Sequence, residues 1–178
     1  MLLLFFQPDA GVPRTSKGEP VTRAAERIAL LVAQLEKTRT LVMIPAPALS
    51  EALVRVESAE ATRLVKEIAR HSTFRIQAFD ALAAIEVAAM MRTELRGGKQ
   101  KMTRGASWAK VKYDRQIVAI AAVARAEHIY SDDSDVRRLA KRAGIAVSGV
   151  ADLPLPPENP NLNLFEGPYL IPGTVSDE

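Results

Sequence analysis

Five acids in this chain fall where their side chains can meet. Glu51 follows the apolar run at residues 40–44, Asp80 follows residues 73–79, and Asp132 and Asp133 follow residues 129–131. Open parallel sheets build their sites beyond the carboxyl ends of the strands, so these acids should gather at one sheet edge. Asp114 is placed differently. It precedes the apolar run at residues 117–124 and shares a helical face with Ile117, Val118 and Ala121. A carboxylate aimed into an apolar face is unfavourable unless something pairs with it, and no Lys or Arg follows on that face. Convergent carboxylates also repel one another. A divalent cation relieves both problems, and an all-oxygen donor set favours Mg²⁺ or Mn²⁺. Taken singly, Asp80, Asp132 and Asp133 read as helix N-caps and Glu51 as a surface acid. The set, and not any one member, points to a metal centre.

Composition removes several other chemistries. The 178 residues include no cysteine, which excludes disulfides and thiolate metal sites. Two histidines, His71 and His128, are too few for a zinc cage without many carboxylates. No Ser–His pair stands out as a nucleophile. All 24 Lys and Arg, and 16 of the 21 acids, fall within residues 1–150, a net +8 there against a net +3 for the whole chain. A basic body favours a polyanionic partner, although a solubilising surface has the same composition. The apolar start at residues 1–6 is too short to span a bilayer and lacks the basic flank of a signal peptide. It reads as a buried strand, and the chain as cytoplasmic with no membrane partner.

The elements that must position these acids alternate along the chain. Residues 21–39 carry apolar residues at helical steps (Val21, Ala24, Ile28, Leu31, Leu35). Strand formers at residues 40–44 end at Pro45-Ala46-Pro47, where a helix begins. Ser58 is placed to cap a helix through Arg70, and Asp80 to cap one from Ala81 to Leu95. Gly97-Gly98 ends that helix, and a basic loop follows over residues 96–107. A helix over residues 110–126 is apolar all round in its second half and should be central. Short strands at 128–131 and 145–147 flank a helix over 133–142, closed by Gly144. Such alternation needs crossover connections, hence a mostly parallel sheet with helices on both faces, a three-layer α/β/α fold. Residues 151–178 hold six of the eleven prolines, three asparagines and no Lys or Arg, and read as an acidic tail outside the 1–150 domain.

Three segments carry a family resemblance. Ile44-Pro45-Ala46-Pro47-Ala48-Leu49-Ser50-Glu51 resembles the second motif of PIN domains, a strand ending in proline before a helix that presents one Glu. Tyr113-Asp114-Arg115-Gln116-Ile117-Val118-Ala119 resembles their third motif, and Ile129-Tyr130-Ser131-Asp132-Asp133-Ser134-Asp135-Val136 their fourth. The resemblance covers about residues 1–150. It implies a PIN-like fold and a metal-dependent ribonuclease like the VapC-like toxins of toxin–antitoxin pairs. It further implies that Glu51, Asp114 and Asp133 bind Mg²⁺ or Mn²⁺, with Ser131 holding a carboxylate or a water at the centre. Asp132 and Asp135 rank below these, and Asp80 and Glu86 fall outside the ligand set.

The implied partners are RNA, a small antitoxin protein and a second copy of the chain. Lys99, Lys101, Arg104, Lys110 and Lys112 would contact phosphates, with Trp108 and Tyr113 between them to stack bases. One departure is plain. The family's first strand carries an Asp just before its apolar run, and here Met1 begins at that run. The expected reasons are a true start upstream of Met1 or a decayed nuclease. The rival reading is accordingly a catalytically impaired PIN-like domain that binds RNA or protein.

Overall fold

The sequence of elements follows the hydrophobic periodicity closely. In the computed structural model, the described residues are 11–15, 18–54, 56–96 and 108–156. They form α1 (Ala24–Lys37), β1 (Val42–Pro45), α2 (Ala46–Leu53), α3 (Ser58–Arg70), β2 (Phe74–Gln77) and α4 (Ala81–Arg96). The chain continues through α5 (Trp108–Val123), β3 (His128–Tyr130), α6 (Ser134–Arg142), β4 (Ala146–Ser148) and a 3₁₀ turn at Val150–Asp152. The strand expected at residues 1–6, the expected loop at 96–107 apart from Arg96, which ends α4, and the tail beyond 156 lie outside the described residues.

The protein is mixed α/β. Its described strands form two parallel pairs, β1 with β2 and β3 with β4. The register sets Ile44 beside Ile76 and Ile129 beside Val147. Parallel neighbours require a crossover. Helices α2 and α3 provide it for the first pair and α6 for the second.

Each pair has its own core. Ile28 and Val32 of α1, Ile44 of β1, Leu64 and Ile68 of α3, and Phe74 of β2 pack together. The helical members recur at four-residue steps, which places them on one face. Val118 and Ala121 of α5, Ile129 of β3, and Val136, Leu139 and Ala140 of α6 form the second cluster. Helix α5 packs against α4, α6, α2 and β1, which gives it the central position that its apolar run requires. Val118, Ala119, Ile120 and Ala121 are buried.

The packed body continues past Val150. Leu153 belongs to the first core cluster and Pro156 is fully buried. Arg27 of α1 donates from Nη1 to the Leu153 carbonyl. The residues just after 150 thus pack on α1.

Helix ends show where local signals succeed. Gly144, with φ of 74°, follows α6, and Ile145 N–H donates back to Ala140 O at 2.9 Å. This is the six-to-one closure that glycine favours. Helices α1 and α5 close the same way, through Thr40 N–H to Leu35 O at 2.8 Å and Ala126 N–H to Ala121 O at 2.9 Å. Their left-handed residues are Arg39 and Arg125. Without glycine to mark the stop, the periodicity carries α1 two residues and α5 three residues too far. Asp80 caps α4 as expected, its Oδ1 accepting Ala83 N–H at 2.9 Å. Ser58 does not cap α3. It is the first helical residue, and the cap position falls on Glu57, whose side chain makes no capping bond.

Candidate metal centre

Asp114 lies in the second turn of α5, four residues before Val118 and seven before Ala121. That spacing turns its carboxylate toward the same packed face. The residue is 5% exposed, and it is the one buried charged residue among the described residues. Helix interiors supply no spare amide donors, so the macrodipole does little for a charge at this position.

Asp133 and Asp135 arrive from the carboxyl end of β3. Asp133 is the N-cap of α6, and its Oδ1 accepts Asp135 N–H at 2.8 Å and Val136 N–H at 3.1 Å. Ser131 Oγ accepts Asp133 N–H at 3.2 Å. This hydroxyl turn fixes the chain as it enters the helix. Asp135, in the first turn of α6, pairs with Arg138 Nη2 at 2.6 Å. One carboxylate oxygen from each of Asp114, Asp133 and Asp135 lies within 4.8 Å of the other two. Like charges at that separation repel by on the order of a few kcal/mol per pair at an effective dielectric near 20.

The donor set fits a hard divalent cation. It is all carboxylate oxygen, drawn from two elements held rigid by the second core, with no sulfur or imidazole donor. Asp114 and Asp133 are thus brought together as expected. Asp135 joins them in a place ranked lower from sequence, and its signal was the Asp133-x-Asp135 spacing. Glu51 is exposed on α2 and does not belong to this group, although α2 packs against the helix that carries Asp114. Glu86 is half-buried on α4, and Asp80 is exposed and committed to its cap.

Asp132 has a structural role that sequence reasoning missed. Its Oδ1 accepts Val150 N–H at 2.8 Å. Asp152 Oδ2 accepts Gly149 N–H at 2.8 Å and pairs with Arg137 Nη2 at 3.0 Å. The Gly149 amide, with Arg137 beside it, holds the Asp152 carboxyl below the ordinary range. Together these bonds brace the β3–α6 corner against the chain leaving β4. Asp132 and Val150, and Arg137 and Asp152, are many residues apart, so no local motif announces those two bonds.

Of the residues expected to contact phosphate, Lys99, Lys101 and Arg104 lie outside the described residues. Lys110 and Lys112 sit on α5, where Lys112 and Tyr113 are exposed. Among the described residues, no helix is long and apolar enough to cross a membrane. Comparison with protein-family models, curated proteins and solved structures gave no match.

Proposed function

We propose that this chain is a Mg²⁺- or Mn²⁺-dependent endoribonuclease of PIN type, the toxin of a toxin–antitoxin pair, with a three-layer α/β/α fold. In that arrangement the β1–β2 and β3–β4 pairs are parts of one central, mostly parallel sheet. The observation that carries the reading is the buried Asp114 carboxylate facing Asp133 and Asp135 within 4.8 Å. Three carboxylates gathered beyond the end of a strand, one of them buried, form an arrangement whose mutual repulsion a divalent cation relieves.

Asp114, Asp133 and Asp135 would hold the cation. Once bound, it supplies electrostatic stabilisation to the negative charge that develops on a phosphodiester during hydrolysis. In that reaction the oxygen of water bonds to phosphorus, the ester P–O bond breaks, and a proton passes to the leaving oxygen. The residues of this chain provide placement. Asp114 is fixed by the packing of α5. Asp133 is fixed by its own cap bonds and by the Ser131 hydroxyl, which makes Ser131 a positioning residue.

A second reading has one observation in its favour. Glu51, a ligand by resemblance, stands exposed outside the group. An RNA-binding or protein-interaction domain with a weakened centre would look like this. The deciding experiment incubates single-stranded RNA with the wild-type protein and with Asp114→Asn, in Mn²⁺ and in EDTA. Cleavage by the wild type alone, in Mn²⁺ alone, supports the nuclease. RNA binding without cleavage under every condition supports the second reading.

A further inference from the structure

A cleft of about 690 Å³ opens on the solvent side of α6. Five cations line it: Arg14 from the N-terminal segment, and Arg137, Arg138, Lys141 and Arg142 from α6. Its two carboxylates, Asp132 and Asp152, are already engaged. Asp132 accepts Val150 N–H, and Asp152 accepts Gly149 N–H and pairs with Arg137. Lys141 lies near enough to help hold the Asp152 carboxyl below its ordinary range. The cleft is therefore net cationic, with its acids turned to structural bonds.

The arrangement along α6 is regular. Arg137 and Arg138 form one pair, and Lys141 and Arg142 the next, four residues on. Four residues of helix advance about 6 Å, so the two pairs lie about one helical turn apart on α6. The buried face of α6, formed by Val136, Leu139 and Ala140, points the other way. The cationic row also leads to the acidic group, because Arg138 is bonded to Asp135 at 2.6 Å.

We propose that this cleft is a second phosphate-binding surface, which seats the backbone of a single RNA strand along α6 and delivers it to the Asp114–Asp133–Asp135 group. Delivery rests on the nuclease reading; binding does not. Phosphates suit the cleft better than isolated carboxylates. Guanidinium forks engage phosphate oxygens in bidentate fashion, and two pairs of cations along one helix suit a polymer that carries a charge at every unit.

The test measures binding of a labelled single-stranded RNA oligonucleotide in EDTA over a range of KCl concentrations. The proteins are wild type, Lys141→Glu/Arg142→Glu, and Lys66→Glu on α3 as a control. Lys141 and Arg142 are exposed, and circular dichroism checks that the double variant folds. The double variant should bind at least tenfold more weakly. The slope of log K against log salt should flatten by about 1.4, the value for two phosphate contacts on a single strand. The control should match the wild type.

Unchanged affinity and slope in the double variant would overturn the cleft assignment, even if wild-type cleavage persists. Poly-glutamate competing as well as RNA of equal charge would also overturn it, by making the surface one for acidic peptides. Loss of binding in the double variant, with no cleavage by any protein, would sustain the cleft and sink the nuclease reading.

Discussion

Asp132 Oδ1 accepts the Val150 N–H at 2.8 Å, tying the β3–α6 corner to the chain that leaves β4. Asp133, the next residue, caps α6 and reaches the acidic group. Neighbouring acids in one motif thus separate into a brace and a candidate ligand. Gly149 sits inside the brace. A Cβ there would lie 2.5 Å from Asp132 Oδ1 and 2.6 Å from Arg137 Nη1. Arg137 can swing away, but Asp132 is held by its bond to Val150. Gly149→Ala should lower stability by about 1–3 kcal/mol through overpacking. Urea melts check this, and wild-type stability in that variant would remove the brace.

Asp132→Asn and Asp133→Asn should behave differently although the substitutions are chemically identical. Asparagine at position 132 can keep the acceptor bond to Val150, so folding and cation response should both stay near wild type. Asparagine at position 133 can still cap α6 but removes a charge from the acidic group. Its melting temperature should no longer rise on addition of Mn²⁺. Thermal melts of the two variants with and without Mn²⁺ separate the roles, and equal responses would contradict them.

Much of this was legible in the sequence because local chemistry spoke for it. Asp80 and Gly144 marked a helix start and a helix stop, and both act as read. Arg39 and Arg125 adopt the same left-handed closure without glycine, and there the boundaries slipped. Asp114 was readable because a lone acid on the Val118–Ala121 face breaks the apolar pattern. Asp135 was ranked lower because acids in the first turn of a helix usually serve the dipole. The Asp132–Val150 bond and the docking of Leu153 on α1 join distant segments, and no periodicity encodes such pairings.

Leu153 gives a direct check on the extent of the packed body. Its side chain is 5% exposed within the first core cluster. Leu153→Ala should lose about 2–4 kcal/mol, as for other buried leucines. Urea denaturation measures it, and a change below about 0.5 kcal/mol, the scale of surface substitutions, would place residue 153 outside the core.

Asp152 sets an acid-side dependence. Its folded carboxyl is lowered first by the Gly149 amide and then by Arg137. A lowered carboxyl adds stability above its unfolded range, and that stability disappears as pH falls through the folded value. The window lies below about pH 4, the ordinary range for Asp. The Asp152 side chain is 47% exposed, so solvent screening keeps the contribution small. Wild type should lose slightly more stability than Asp152→Asn on acidification through that window. Parallel curves would show that the pair contributes nothing.

Cation binding by the acidic group is the central claim, and titration of Mn²⁺ followed by electron paramagnetic resonance of the free ion tests it without any substrate. Wild-type protein should remove Mn²⁺ from solution saturably, Asp114→Asn should do so far more weakly, and Asp132→Asn should match the wild type. Equal uptake by wild type and Asp114→Asn, or no uptake by either, would contradict it.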